Sequence, residues 1–373
     1  DQVVIVSADT ANISDANNLE IGSTTITGSG GTTLTLQAGA DLTQTAGSII
    51  SNNRNGAITK LTAANDSITL AEVNNDFTIV EIVDAASATL TDFNAIQFED
   101  VVLTGTGNNF VINSGGMVSQ VSGKKIVNKA AGAVTEINAA GQSVVLVETA
   151  NEFTQVNINA LNANIVDKDS IRIGNSVVTG TVFNVTALGN GNISQTSGST
   201  ISHDGVGAVT TLIADGDDIT LNRNTNDFTK VVFNGAAIVN IHDVDSIDLG
   251  ASTVSDTLTI VANNMGEITQ SGALVVTNDA TFTAGGNITL DNSLNNFSTV
   301  LTDAVNVSLR DSGAIDLGLS AITGTLDVIA AGNITDSGAL DVAGVTTLRA
   351  GAAHDVTLNH SVNTFYTVNL LQA

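Results

Sequence analysis

Apolar residues along this chain fall in short runs, and polar residues alternate with them inside many of those runs. In the segment that starts at Phe228 the runs are FTKVVF (228–233), AIVNIHD (237–243), SIDLG (246–250), STVSD (252–256) and TLTIVA (257–262). They continue with GEITQSG (266–272), ALVVT (273–277), ATFTA (280–284) and NITL (287–290). Val, Ile, Thr and Leu with a period of two predict strands, and the Gly, Asn, Asp and Ser between them predict turns. No stretch holds an i, i+3, i+4 apolar spacing over eleven residues, so no helix is predicted.

The runs belong to a larger repeat. One phrase recurs five times, ending at Phe77, Phe153, Phe228, Phe297 and Phe365, with Asn75, Asn151, Asn226, Asn295 and Asn363 two positions earlier. A second phrase, Asp-x-x-x-Leu/Ile, carries Asp15, Asp92, Asp167, Asp243 and Asp311. A third carries Gln44, Gln120, Gln195, Gln270 and then Asp336. Three ladders of nearly equal period define five tandem units, about 1–76, 77–152, 153–227, 228–296 and 297–364, with the start of a further unit at 365–373. Ala11-Asn12-Ile13 aligns with Ala163-Asn164-Ile165, which places Asp1 on Phe153, a unit boundary.

Nine short strands per unit suit three rungs of three strands. Tandem units with few hairpin dipeptides favour a coiled parallel solenoid over antiparallel meanders. Five units of three rungs predict about 15 rungs, a rod of roughly 70 Å at about 4.8 Å per layer. Composition agrees with this reading. The chain has no proline, and in a solenoid nearly every strand lies between two others, where a residue without an N–H breaks a ladder bond. Tryptophan is also absent and aromatics are 3%, as a thin core between sheets requires. The expected fold is one continuous all-β solenoid over residues 1–373.

Charge narrows the function. Eleven Lys+Arg against 37 Asp+Glu give a net charge of −26, which excludes a nucleic-acid coat. Without cysteine there is no disulfide framework and no thiolate metal site. No run approaches the roughly 18 apolar residues of a membrane span, so no membrane insertion is expected.

The candidate chemistry is sparse. The aspartate ladder fits Asx turns, its carboxylates bonding backbone N–H groups at strand corners. Calcium is the one cofactor considered, with Asp215, Asp217 and Asp218 in one cluster and Asp243 and Asp245 in another; neither fits an EF-hand or a G-G-x-G-x-D repeat. The Asn-x-Phe ladder predicts a turn with Asn in the left-handed region and Phe plugging the core. No catalytic residue is assigned: basic residues are thinly spread, the four histidines do not recur in register, and no G-x-S-x-G elbow occurs.

The phrases ITQSGALVV (268–276), TFTAGGNITL (281–290), TLDVIAAGNI (325–334) and SGALDVAGVTTLRAGAAHDVTL (337–358) resemble the repeats of filamentous-haemagglutinin-type exoproteins, bacterial surface adhesins exported by two-partner secretion. The likeness spans nearly the whole chain. It implies a right-handed parallel β-helix and a place outside the cell, at a bacterial surface. The expected function is an extracellular structural protein, a segment or subunit of an adhesin-like filament that self-associates end to end or continues into further repeats. Host, neighbour-cell or matrix glycans are the partners it suggests. The alternative is a carbohydrate-binding or polysaccharide-degrading protein on the same scaffold.

Overall fold

The computed structural model describes residues 2–105 and 109–371, and all regular structure among them is strand. Asp1, aligned above with Phe153, lies outside the described residues. The chain divides into two compact units, Asp1–Gly189 and Asn190–Ala373. Each is a parallel β-solenoid, and between them they make about 17 turns. In the first, Ala57–Leu70 stacks on Ile79–Asp92 and Val134–Leu146 on Gln155–Asp167. In the second, Leu258–Ala262 stacks on Leu274–Ala284, which in turn stacks on Asn296–Ala304.

The strands match the predicted runs closely. From Phe228 onward they are Asp227–Phe228 and Lys230–Asn234, which divide the run FTKVVF, then Val239–Asp243, Ile247–Leu249, Ser252–Val254, Leu258–Ala262, Ile268–Gln270, Leu274–Ala284 and Ile288–Leu290. The one merger is ALVVT with ATFTA, which form a single bent strand. Alternation sets the core: in Val182–Ala187, Phe183, Val185 and Ala187 are buried while the residues between them are partly exposed. Phenylalanine is scarce but almost wholly interior. Nine of the eleven are fully buried, and Phe98 meets Phe110 edge-on at 5.4 Å between ring centroids.

The expected count of three rungs per unit, about 15 in all, is too low, because a turn is shorter than 25 residues in most places. Ile68 stacks on Ala88, Ala88 on Phe110, and Phe110 on Thr135. Thr135, however, is the counterpart of Thr59, 76 positions earlier. Thr59 and Ile68 lie on either side of a bend in Ala57–Leu70, where the register shifts and Asn65 adopts φ 65°. The column above Thr59 instead passes through Val80 and Phe98 to Gln120. The second unit behaves alike: three steps up from Ile219 reach Ala280, the counterpart of Thr210. One sequence repeat is therefore a little more than three turns, and matching residues of successive repeats stand on neighbouring faces.

A buried polar pair shows how the repeats vary inside. Asn52 donates to Thr59 Oγ1 at 2.9 Å, Asn128 to Thr135 Oγ1 at 3.0 Å, and His203 Nδ1 meets Thr210 Oγ1 at 2.8 Å. The next repeat has Val276 and Ala280 at these places. The last has Val342 beside Thr346, whose fully buried hydroxyl has no partner. A buried orphan hydroxyl costs about 1–3 kcal/mol. Thr346→Val should therefore raise stability by about 1 kcal/mol in chemical denaturation, and a loss of stability would show the hydroxyl to be satisfied.

Candidate functional site

The three sequence ladders meet in one recurring polar box. Asn151 is fully buried, and its Oδ1 accepts from Ile126 N and from Gln120 Nε2, both at 2.8 Å. Its Nδ2 donates to Gln120 Oε1 at 3.0 Å and to Leu146 O at 3.4 Å. Asn75 with Gln44, Asn226 with Gln195 and Asn295 with Gln270 repeat this pattern. In the last repeat Asp336 replaces Gln, and Asn363 Nδ2 donates to it at 2.6 Å. Burial pushes the Asp336 carboxyl up, but N–H donors from Asn363, Asn359 and His360 outweigh this and hold it below the ordinary range.

The aspartates close the box from the other side. Asp167 Oδ2 accepts from Phe153 N at 2.6 Å, and its Oδ1 accepts from Asp169 N at 2.8 Å. Asp92, Asp243 and Asp311 bind Phe77, Phe228 and Phe297 in the same way, and each also binds the amide two residues ahead. Asp15 keeps its local bond from Asn17 N at 2.8 Å. The Asx turns are thus present, and each of these four buried carboxylates also ties a strand 14 or 15 residues away. Burial pushes Asp92 up to about 6 and Asp167 and Asp243 up to about 7, against the pull of the same N–H donors. It pushes Asp311 up as well.

One expectation needs correction. The ladder asparagines do not adopt the left-handed region; among the described non-glycine residues it holds Asn65, Asn190, Asn264 and Ala353. The amides of Asn75, Asn151, Asn226 and Asn295 are used instead as four-way brackets, a role that only tertiary contacts 21 to 31 residues away reveal. The phenylalanines do plug the core, and Phe77, Phe153, Phe228 and Phe297 are at most 2% exposed, so none can stack on a sugar.

The calcium candidates do not converge. Asp243 is fully buried with both oxygens bonded to backbone amides, and Asp245 is exposed. Asp215, Asp217 and Asp218 surround a turn made by Gly216 at φ 88°, where Asp217 N donates to Ala214 O. Among the described residues no three His, Cys, Asp or Glu side chains come together to hold a metal ion.

Sequence reasoning missed a feature of the exterior. Phe93, next to the ladder residue Asp92, is 64% exposed beside a shallow cavity of about 390 Å³. The available signal was its place outside the Asn-x-Phe ladder, at a position held by Ala16, Lys168, Val244 and Ser312 elsewhere.

A family model described as repeats of unknown function, DUF5649, matches residues 8–83, 85–159, 160–233, 235–304 and 304–372. These are the five tandem repeats in a slightly later phase, for example 160 against 153. No curated protein and no solved structure matches the chain.

Proposed function

From a chain that belongs to the DUF5649 repeat family, we propose an extracellular structural protein, a segment or subunit of an adhesin-like filament on a bacterial surface. The observation that carries this reading is hydrogen bonding that passes from one repeat to the next without a break inside each unit. Val134–Leu146 on Gln155–Asp167 spans the repeat boundary at Phe153, and Leu274–Ala284 on Asn296–Ala304 spans the one at Phe297. A parallel ladder of this kind resists bending, and repetition gives reach. The resemblance to filamentous-haemagglutinin-type repeats supports the same role.

An end-to-end filament belongs to this proposal, the solenoid being continued by a further repeat, in the same chain or in a second copy. An unpaired strand row is a template for another. Electron micrographs of native material should show filaments, and short isolated rods alone would overturn end-to-end growth.

The net charge of −26 keeps such rods apart. Lateral association should rise with salt or divalent cations, because exposed charges are screened beyond about 10 Å at 0.1 M ionic strength. Light scattering through a calcium titration should increase, and a flat response would count against repulsion as the spacer. The carbohydrate-binding alternative is favoured by one observation, the exposed ring of Phe93.

A further inference from the structure

We propose that the outer face of the first unit around Phe93 binds an uncharged glycan chain. Phe93 is the one exposed phenylalanine among the described residues. Its ring stands at the edge of the 390 Å³ cavity, which Thr91, Asn113 and Asn138 also line. The floor there is tight. A Cβ on Gly115, which also lines the cavity, would lie 2.1 Å from the backbone oxygen of Phe93, so only glycine lets these two layers meet there. A second cavity of about 310 Å³ shares Asn138 and continues over Asn157, Asn159 and Asn175.

The polar groups stand in register. Thr91 stacks on Asn113, Asn113 on Asn138 and Asn138 on Asn159, one per layer. A layer is about 4.8 Å deep, close to the length of one pyranose unit, so an extended glycan running along the face would meet one side chain per sugar. The amides are held ready. Asn113 Nδ2 donates to Thr91 Oγ1 at 3.2 Å, and Asn138 Nδ2 donates to Asn113 Oδ1 and Glu136 Oε1, both at 3.0 Å. These bonds leave one N–H of Asn113 and the carbonyl of Asn138 unused within the row. The row also departs from the repeat: the counterparts of Asn138 are Thr62, Ile213, Thr283 and Arg349.

The chemistry of the lining selects the ligand class. No Lys or Arg lines either cavity, so an anionic polymer finds no counter-charge on a chain of net charge −26. A metal ion finds little, since Asp92 already holds two backbone amides and leaves Glu136 by itself. A peptide strand needs an open sheet edge, whereas this is a sheet face whose backbone bonds are already made. Amides, a hydroxyl and an exposed aromatic face remain, which suit the hydroxyls and the apolar C–H face of a neutral sugar.

The site rests on the surface reading only for access to a glycan, so its test is made on the full chain in solution. Neutral hexasaccharides (β-1,4-glucan, β-1,3-glucan, β-1,4-mannan and chitin oligomers) and polygalacturonate would be titrated calorimetrically. At least one neutral oligomer should bind, more tightly as it lengthens from two to four units, and polygalacturonate should not. Phe93→Ala and Asn138→Thr, the latter using the residue of another repeat, should each weaken binding at least about tenfold. Leu319→Ala, an exposed position in the second unit, should leave binding unchanged. No neutral binding at millimolar concentration, equal affinity in Phe93→Ala, or a preference for polygalacturonate would each overturn the proposal. A chain that binds glycan but forms no filament would overturn the filament reading instead.

Discussion

Replacing Asn151 with alanine should destabilise the first unit by about 3–5 kcal/mol, among the largest effects of any single polar substitution. The side chain makes four hydrogen bonds in a site with no solvent access. Alanine leaves Ile126 N orphaned, at about 1–3 kcal/mol for a buried unsatisfied group, removes the bonds to Gln120 and Leu146 O, and leaves a cavity where the amide stood. Gln120 loses its reciprocal partner but is only part-buried, so it can turn partly to water. Asn151→Asp should fare no better, because it keeps the acceptor for Ile126 N but loses both donors and buries a charge. Asn363→Ala is the internal contrast: that residue is half-buried and its box holds Asp336, so a loss nearer 1 kcal/mol is expected. Solenoid stability is roughly a sum over neighbouring repeats, so damage should be local. Hydrogen exchange should speed up at Ile126–Asn128 and Val134–Leu146 first. Unchanged protection at Ile126 N would show that the bracket does not hold the strand.

How much of this was legible beforehand depends on the range of the interaction. The strands and the five repeats were legible because a period-two pattern and recurrent Phe, Asp and Gln are local signals. Phe153 as a core plug and Asp167 as an Asx turn follow from the same local chemistry. The joining of Asn151, Gln120 and Ile126 was not legible, since it depends on how many residues make one turn. That number varies, from 17 between Val156 and Ile173 to 26 between Val118 and Val144. A fixed 25-residue rung therefore undercounted the turns and hid the shift of each repeat to the next face. Phe93 was missed for a different reason. A search for recurrence discards residues that break it, and the departures at Phe93 and Asn138 are where a repeat surface can become a site.

Lowering the pH from 8 to 5 should raise the midpoint of thermal unfolding, opposite to the usual behaviour of paired carboxylates. The cause lies in the polar boxes. Asp92 near 6 and Asp167 and Asp243 near 7 stand above the ordinary value of 3.8, and Asp311 is raised in the same direction. The folded chain thus binds more protons than the unfolded chain between about pH 4 and 7. Stability falls as pH rises through that window and levels off above it. Each pKa unit corresponds to about 1.4 kcal/mol, so these groups together set a change of several kcal/mol. Below pH 4 the sign reverses. Asp41, Glu152 and Asp336 are held below their ordinary values by hydrogen bonds and ion pairs, and their contribution is lost on protonation. Repulsion among the surface carboxylates would also relax on acidification, so the two causes must be separated. Salt does this, because at 1 M the screening length is about 3 Å for exposed charges while buried groups are screened much less. Asp167→Asn supplies the second control, removing one titrating group and flattening the profile between pH 4 and 7 by its share. A pH dependence that vanishes in 1 M salt and is unchanged in Asp167→Asn would assign it to the surface. If stability instead rises from pH 5 to 8, the paired backbone amides dominate and the box holds its aspartates as carboxylates.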